Sequence, residues 1–471
     1  MTQTSSASPA ARFPWPDPWP APAASGPVTG TVSLPGSKSL TNRLLVLAAI
    51  AEGPSTLHGV LDSRDARLMR AGLAALGAGF EDRPDGAVVV TPLPVGEPLP
   101  ELVHVDCGLA GTVMRFLPAV AALRPGTVVI DGDAGARLRP MGPLVSALRQ
   151  LGVEVQEQGE PGRLPLRLHT PTPRPESGAG TGPAEVAVDA GASSQFLSGL
   201  LLSAARRPGG LTVHHTGARV PSPEHVAMTV QTLRKHGVQV QVPQEGVWQV
   251  APGGPAALEC RVEPDLSNAG PFLAAAAVTG GTVQVPGWPL ETTQIGDRWR
   301  QILPRFGAEV ELRPDPADPA CGVLTVRGGT DTAGRPRVLG AGVLADTAEL
   351  APTVAALAML AEGPTELTGI GHLRGHETDR LAALTAEAAR FGVAVEQTED
   401  ALAFPGTDGS GPLRAATART YHDHRMATFA AVVGLRVPGT AVEDVATTGK
   451  TIPDFPGMWT ALTADGTDGA A

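Results

Sequence analysis

The sequence predicts an α/β protein in which six copies of one helix–strand–helix–strand unit form two domains of three. Two observations carry this prediction. A glycine turn followed by a strand-like alternation recurs six times at intervals of 71 to 84 residues, as in EGPSTLHGV and EGPTELTGI. A helical pattern that ends in glycine and runs into a strand recurs five times, as in LAALGAGFE and AARFGVAVE. Glycine just after the last helical turn is a common helix stop.

Each unit begins with a polar cluster, about 14–16 residues before its glycine turn. Asp, Ser and Thr in these clusters suit helix N-caps, and an Ala/Leu/Val-rich helix follows each one. The six openings are PGSKSLTNR, GLAGTVMRF, GASSQFLSG, DLSNAGPFL, DTAELAPTV and YHDHRMATF. Because these helices are too apolar to leave a solvent face, two domains of three units are favoured over a long solenoid.

A second polar cluster follows each glycine turn and opens an amphipathic helix. The charged members of these clusters include Arg64, Asp65, Arg139, Glu224, Arg298, Glu377, Arg380 and Lys450. Equivalent positions in related units face equivalent places, so the clusters are expected to meet at a shared cleft. A capping role alone is the alternative, and we favour it for the clusters around Arg64 and Arg298.

Composition excludes several classes of protein. The chain has 471 residues and a net charge of −11, which argues against a general nucleic-acid or anionic-membrane binder. No apolar run approaches the ~20 residues of a membrane span. Three distant cysteines fit neither a disulfide framework nor a zinc site, and no other residue set has metal-ligand spacing. We therefore expect a reducing cytoplasm and no metal.

The two ends of the chain are expected to be disordered. Residues 1–26 are rich in Pro, Ala and Ser and contain no apolar signal segment. The tail, residues 463–471, has a similar polar composition. Removal of residues 1–26 is therefore predicted to leave activity intact.

The clusters collect cations in an acidic protein. They contain Lys38, Arg43, Arg115, Arg139, Arg380, Arg425 and Lys450. Convergence of these charges would be unfavourable without a ligand, so a polyanionic ligand is predicted, bound with the help of helix N-termini. Carboxylates in the same clusters, such as Glu349 and Glu377, are either structural partners of the cations or acid–base groups. A Ser/His/Asp hydrolase and a P-loop both lack the required spacing.

Seven motifs resemble those of the EPSP synthase (3-phosphoshikimate 1-carboxyvinyltransferase) family of enolpyruvyltransferases. In family order over residues 27–462, they are PGSKSLTNR, LAGTVMR, RLRPMG, SSQFL, HETDRL, YHDHRMA and GKTIPDF. The resemblance implies transfer of the enolpyruvyl group of phosphoenolpyruvate to the 5-hydroxyl of shikimate 3-phosphate, a step in chorismate and aromatic amino acid biosynthesis. No metal or organic cofactor is implied, and we expect a monomer.

The resemblance also implies a fold and domain boundaries. The family has an inside-out α/β barrel architecture: two domains, each of three βαβαββ units, joined by two crossovers. By similarity, residues 27–35 and 262–462 form discontinuous domain one, and residues 36–261 form domain two.

Site residues follow from the motifs. By similarity, shikimate 3-phosphate is held by Lys38, Ser39, Arg43, Ser193, Ser194, Gln195, Ser222, Glu349 and His376. Phosphoenolpyruvate is held by Lys38, Gly111, Arg139, Gln195, Arg380, Arg425 and Lys450. Glu349 and Glu377 resemble the two acid–base carboxylates, and Lys38 assists them. Glyphosate, which occupies the phosphoenolpyruvate site of the family, is expected to inhibit.

The sequence departs from the family at several positions. The principal base is usually aspartate; counting back from Gly363 places it at Glu349, with Asp346 as the alternative. His376 replaces a common lysine, Leu109 a common asparagine, and Phe116 a common proline. Two other functions stay open: a UDP-N-acetylglucosamine enolpyruvyltransferase, and a non-catalytic anion-binding paralogue.

Overall fold

The structure is a computed structural model that describes residues 14–172, 183–345, 347–375, 377–409 and 412–464. The strands are β1 (Trp19–Pro20), β2 (Thr29–Thr31), β3 (Ser55–His58), β4 (Gly79–Asp82), β5 (Val88–Thr91), β6 (Val103–Asp106), β7 (Gly126–Asp131), β8 (Glu154–Glu157), β9 (Leu166–Thr170), β10 (Ala184–Val188), β11 (Leu211–His215), β12 (Val240–Gln244), β13 (Val247–Val250), β14 (Glu259–Arg261), β15 (Thr282–Pro289), β16 (Glu309–Asp315), β17 (Asp318–Arg327), β18 (Gly342–Ala345), β19 (Thr365–Thr368), β20 (Glu396–Gln397), β21 (Leu402–Phe404), β22 (Thr417–Ala418) and β23 (Ala441–Val442). The α-helices are α1 (Lys38–Ala49), α2 (Arg64–Ala75), α3 (Gly111–Ala121), α4 (Ala134–Arg137), α5 (Gly142–Gln150), α6 (Gln195–Ala204), α7 (Pro223–Lys235), α8 (Leu266–Thr279), α9 (Trp299–Arg305), α10 (Ala351–Leu360), α11 (Arg380–Arg390), α12 (His424–Gly434) and α13 (Phe455–Ala464). Short 3₁₀ helices span Ile295–Arg298, Ala348–Leu350, Gly371–Gly375 and Val445–Lys450.

One strand order repeats in five four-stranded sheets. In β6–β7–β9–β8 the first two strands are parallel, and β9 runs antiparallel to both β7 and β8. The sheets β10–β11–β13–β12 and β18–β19–β21–β20 have the same order. In the remaining two, the first strand comes from a distant part of the chain: β14 joins β3–β5–β4, and β2 joins β15–β17–β16. The predicted βαβαββ units are therefore present.

The chain passes between the two domains at two adjacent segments. The Ser37 N–H donates to the Glu263 carbonyl at 2.8 Å, and the Asp265 N–H donates to the Pro35 carbonyl at 2.9 Å. The boundaries at residues 35/36 and 261/262 stay predictions, and Val262 packs in the core that contains α1, α3 and α6.

Helices, not sheets, form the centre of each domain. α1, α3 and α6 lie in one hydrophobic core, and α8, α10 and α12 lie in a second core. Every residue of α8 and α10 is buried, which explains why their sequences show no polar face. Amphipathic helices such as α2, α7 and α11 bury one face only. The predicted two-domain, inside-out α/β architecture is confirmed.

The sixth sheet corrects one prediction. It contains β22, β23 and β1, and β1 pairs antiparallel with β23. The sixth unit ends in α13, so it supplies no strand of its own beside β23, and the N-terminal segment takes this place. Trp19 is only 2% exposed in the core of domain one. The prediction of a disordered arm is therefore wrong for residues 14–26, and the prediction that residues 1–26 can be removed without effect on activity loses its basis. Residues 1–13 lie outside the described residues.

The C-terminal boundary also moves slightly. α13 continues to Ala464, so the tail predicted to start at residue 463 starts two residues too early. Residues 465–471 lie outside the described part of the chain. Within the residues that the structure covers, no helix has both the length and the apolar character to cross a membrane.

Candidate active site

A cleft of about 400 Å³ is lined by residues of both domains. Its lining includes residues at the N-terminal ends of all six central helices: Ser37, Gly111, Gln195, Ser267, Glu349 and Arg425. This is the convergence that the repeated polar clusters predict. The positive ends of six helix dipoles suit the cleft to anions.

Six of the seven predicted cations line the cleft. They are Lys38, Arg115, Arg139, Arg380, Arg425 and Lys450. Arg43 is the exception, because it lies 2% exposed behind the wall. Its guanidinium donates to the Ser39 and His225 carbonyls, both at 2.9 Å. Burial lowers the pKa of Arg43 to about 9, against the opposing effect of Glu349. In this structure Arg43 does not line the cleft, and it links the backbone at Ser39 to the backbone at His225.

Two arginines of domain two have no carboxylate partner among the described residues. Arg115 donates to Gln195 Oε1 at 2.7 Å, and Arg139 donates to the Leu109 carbonyl at 3.2 Å. The Nε atom of each is buried without a hydrogen-bond partner. Burial and the neighbouring Arg139 charge lower the pKa of Arg115 to about 9. An anion would relieve this repulsion and satisfy the free donors.

Gly111 is placed where a side chain would crowd these groups. A Cβ built on Gly111 would lie 2.9 Å from Gln195 Oε1 and 3.0 Å from an Nη atom of Arg139. Glycine therefore keeps the start of α3 open to a ligand.

Hydroxyl groups surround the cations of domain two. Ser39, Ser193, Ser194 and Ser222 all line the cleft, as the resemblance to the family implied. Ser222 has a left-handed backbone, with φ +47°, directly before α7. Lys38 lies 3.6 Å from Asp65, and burial, reinforced by Lys450, lowers the pKa of Lys38.

Domain one presents its cations already paired with carboxylates. Glu377 contacts the Lys450 ammonium and accepts from Arg380 at 3.0 Å. Asp423 accepts from Arg380 at 2.7 and 3.2 Å, and it also caps α12. Burial would raise the pKa of Glu377, but the charges of Lys450 and Arg380 outweigh it and hold the pKa well below its usual range. Asp423 thus orients Arg380.

Glu349 also belongs to domain one and is 9% exposed. Its Oε1 atom accepts from Ser267 Oγ at 3.4 Å and lies 3.5 Å from His225 Nε2 and 4.0 Å from Arg425. His225 belongs to domain two, so Glu349 stands at the junction of the domains. Asp346 and His376 lie outside the described residues.

Several lining residues were not assigned to the site from the sequence. They are Asp65, His225, Asp265, His372 and His424. Each belongs to or directly adjoins a polar cluster, so position in the repeat was the available signal. Capping is confirmed for Ser63, which accepts from Ala66 N–H at 3.3 Å, while Arg64 pairs with Asp133. Asp65, the residue after Arg64, nevertheless lines the cleft.

The structure shows the contacts of two residues that depart from the family pattern, Phe116 and Leu109. Phe116 is fully buried, and the Arg43 guanidinium carbon lies 5.5 Å from its ring centroid, a cation–π arrangement. At Leu109 the backbone carbonyl, not a side chain, contacts Arg139. Within the described ranges, no group of three or more His, Cys, Asp or Glu residues could hold a metal ion.

The fold and the site define a two-domain α/β protein in which cations, hydroxyls and paired carboxylates form an anion-binding cleft. A sequence model described as EPSP synthase (3-phosphoshikimate 1-carboxyvinyltransferase) matches residues 22–459. The chain belongs to the EPSP synthase family, which confirms the resemblance drawn from the seven motifs.

Individual relatives agree with this assignment. The chain is 52% identical to a 3-phosphoshikimate 1-carboxyvinyltransferase of Kocuria rhizophila over 95% of this chain and 96% of that protein. It is 46% identical to the enzyme of that name from Bifidobacterium longum, over 94% and 98%. A solved EPSP synthase from Acinetobacter baumannii has the same fold, with a TM-score of 0.75, 24% identity, and coverage of 94% and 96%.

Proposed function

We propose that the chain catalyses the reaction for which its curated relatives are named. It transfers the enolpyruvyl group of phosphoenolpyruvate to the 5-hydroxyl of shikimate 3-phosphate and releases phosphate. The convergence of nearly all the motif residues in one cleft carries this proposal. The relatives favour it over a UDP-N-acetylglucosamine enolpyruvyltransferase. The intact set of cations and carboxylates favours it over a non-catalytic paralogue.

Shikimate 3-phosphate is assigned to the domain-two wall. Ser39, Ser193, Ser194 and Ser222 offer neutral donors, and Lys38 offers a charge. Arg43 supports this wall through the Ser39 and His225 carbonyls, so its direct contact with the ligand stays a prediction, as does that of His376.

Phosphoenolpyruvate is assigned to the space between the two walls. Arg139 and Gln195 reach it from domain two, next to the opening that Gly111 preserves. Arg380, Arg425 and Lys450 reach it from domain one. Guanidinium forks suit the carboxylate and phosphate of this ligand, while lysine supplies a point charge.

The chemistry is addition followed by elimination. Glu349 takes the proton of the 5-hydroxyl, whose oxygen attacks C2 of phosphoenolpyruvate, while an acid protonates the methylene carbon. Glu377 is ionised in the unliganded cleft, but a bound phosphate and carboxylate offset the charges of Lys450 and Arg380. The pKa of Glu377 then rises, so that it can carry the second proton with help from Lys38. Loss of phosphate and of one methyl proton completes the transfer.

Two measurements test the proposal. Calorimetry should show binding of shikimate 3-phosphate, and phosphate release should require both substrates. Phosphate release with UDP-N-acetylglucosamine instead would identify the sister activity. Binding of either ligand without any phosphate release would identify a non-catalytic paralogue.

We also propose a monomer in a reducing cytoplasm, without metal, organic cofactor or nucleic-acid partner. The net charge of −11 supports the absence of a nucleic-acid partner. The three free cysteines support a reducing compartment. Light scattering of the purified protein tests the oligomeric state.

A further inference from the structure

The N-terminal segment, residues 14–24, is bound along the part of domain one that carries Lys450. β1 pairs with β23, the Ala21 N–H donates to the Thr440 carbonyl at 3.0 Å, and the Ala24 N–H donates to the Leu435 carbonyl at 3.0 Å. The Trp19 ring meets the Phe455 ring edge-on, with centroids 6.2 Å apart. The segment is thus bound both to β23 and the residues before it and to the start of α13.

Two of its side chains hold opposite ends of one short loop. Asp17 Oδ1 accepts from the Asp444 N–H at 2.8 Å, and Trp15 Nε1 donates to Asp454 Oδ1 at 3.3 Å. Asp444 precedes the 3₁₀ helix Val445–Lys450 and has a left-handed backbone, with φ +48°. Asp454 precedes α13, and its side chain also accepts from the Gly457 N–H at 3.1 Å.

Lys450 lies between these two anchor points. Its ammonium contacts Glu377 at the cleft, so a shift of the loop displaces both the charge and its partner carboxylate. The 3₁₀ helix Val445–Lys450 is only two turns long, and 3₁₀ hydrogen bonds have poorer geometry than those of an α-helix. Contacts at its two ends therefore add to the burial of Val445 and Thr448 in holding it in place.

We propose that Asp17 and Trp15 are positioning residues for Lys450, and through it for phosphoenolpyruvate. The segment around them is a strap that holds the lysine-bearing loop at the cleft. This inference rests on the proposed function, because it assigns Lys450 to phosphoenolpyruvate.

The test uses point variants of the full-length chain. Asp17→Ala and Trp15→Phe each remove one hydrogen bond, and the double variant should raise KM for phosphoenolpyruvate ~5–20-fold, as expected for two such bonds. KM for shikimate 3-phosphate should stay within about twofold, since most of its assigned contacts lie in domain two and none lies between Asp444 and Asp454. Asp17→Asn keeps an acceptor oxygen and should restore most of the loss of Asp17→Ala.

Asp85→Ala is the matched control. Asp85 also accepts a backbone N–H, from Ala87 at 3.0 Å, but in a domain-two hairpin. This variant should leave both KM values unchanged. If Asp17→Ala and Trp15→Phe change both substrates equally, or only the unfolding midpoint, the strap is merely structural and the proposal is overturned.

Coupling to Lys450 sharpens the result. In a Lys450→Ala background, the double variant should cause little further loss of phosphoenolpyruvate affinity, measured by calorimetry on the shikimate 3-phosphate complex. Undiminished additional loss would show that the segment acts elsewhere and would overturn the proposal. Absence of activity in the unmodified protein would instead refute the proposed function, and so the two failures are distinguishable.

Discussion

The two walls of the cleft treat their charges in opposite ways. Arg115 and Arg139, in domain two, have no carboxylate partner among the described residues, and each keeps a buried Nε without a hydrogen bond. In domain one, Lys450 and Arg380 both contact Glu377, and both oxygens of Asp423 accept hydrogen bonds from Arg380. The two arginines of domain two thus lack counter-charges, although Lys38 of the same wall pairs with Asp65, whereas Arg380 and Lys450 of domain one are already paired.

This difference assigns different tasks to the walls. Unpaired cations gain most from an incoming anion, so the domain-two wall is suited to capture phosphorylated ligands. In domain one, Lys450 and Arg380 hold Glu377 ionised, so this carboxylate can carry a proton only after bound anions offset the two charges. Chemistry then requires both walls to reach one ligand pair, and contacts such as His225 with Glu349 join them.

The largest effect is expected at a carboxylate of domain one. Glu349→Gln should lower turnover ~10²–10⁴-fold, the usual contribution of a general base, while binding of shikimate 3-phosphate stays within about tenfold. Steady-state phosphate release and calorimetry measure the two quantities. Asp346→Asn should have a much smaller effect; the reverse order would make Asp346 the base.

The two walls are compared directly by one arginine from each. Arg139→Ala and Arg425→Ala should both weaken phosphoenolpyruvate ~30–1000-fold, about 2–4 kcal/mol for a lost charged contact, and affect shikimate 3-phosphate far less. Arg425 also lies 4.0 Å from Glu349, so its loss should in addition lower turnover.

Arg137→Ala provides the control for this pair. Arg137 lies two residues before Arg139 but pairs with Asp131 at 2.6 Å on the surface. It should leave both ligands unaffected. Equal weakening of the two ligands by Arg139→Ala would contradict the assignment of the walls.

An added methyl group should have different effects at Gly111 in domain two and at Gly375 in domain one. Gly111→Ala places a Cβ against Gln195 and Arg139, and such overpacking costs roughly 1–3 kcal/mol. Glyphosate should therefore inhibit ~5–150-fold more weakly, with a smaller loss for phosphoenolpyruvate. Gly375→Ala is the control, because nothing lies within 4 Å of a Cβ there. Inhibition constants decide the matter, and a millimolar constant for the unmodified protein would show that Gly111 alone does not confer sensitivity.

The smallest effect concerns pH and a buried histidine of domain one. Burial, reinforced by Arg425, lowers the pKa of His424 well below 6.5. Below pH 6.5 the unfolded chain therefore binds a proton here that the folded chain does not, and the free energy of unfolding falls as pH falls.

Urea unfolding at pH 7.0 and 5.5 tests this linkage. His424→Asn should lose less stability between these values than the unmodified protein does, by about 1 kcal/mol. His422→Asn, at a neighbouring side chain that is 90% exposed, serves as the control. An unchanged pH dependence in His424→Asn would show that folded His424 takes up the proton.

Local patterns in the sequence were sufficient for the repeating unit. The glycine turns, the helix stops and the N-cap residues act over a few positions, so they predict the six central helices and the residues at their N-termini. These ends converge with the second polar clusters, so cluster position alone predicted that Lys38, Arg139 and Glu377 reach the cleft. The assignment of Ser194 to a ligand came from the resemblance to the family.

Tertiary structure decided the rest. Trp19 carries no repeat pattern, and it is ordered only because the sixth unit leaves an open sheet edge and an uncovered core beside β23. Arg43 belongs to a site motif, yet packing against Phe116 and two carbonyls turns it behind the wall. Arg380 and Lys450 meet carboxylates that lie far from them in the sequence, Asp423 and Glu377, whereas Arg115 and Arg139 meet none among the described residues. Sequence periodicity specifies which residues reach the cleft, but not which charge each of them meets there.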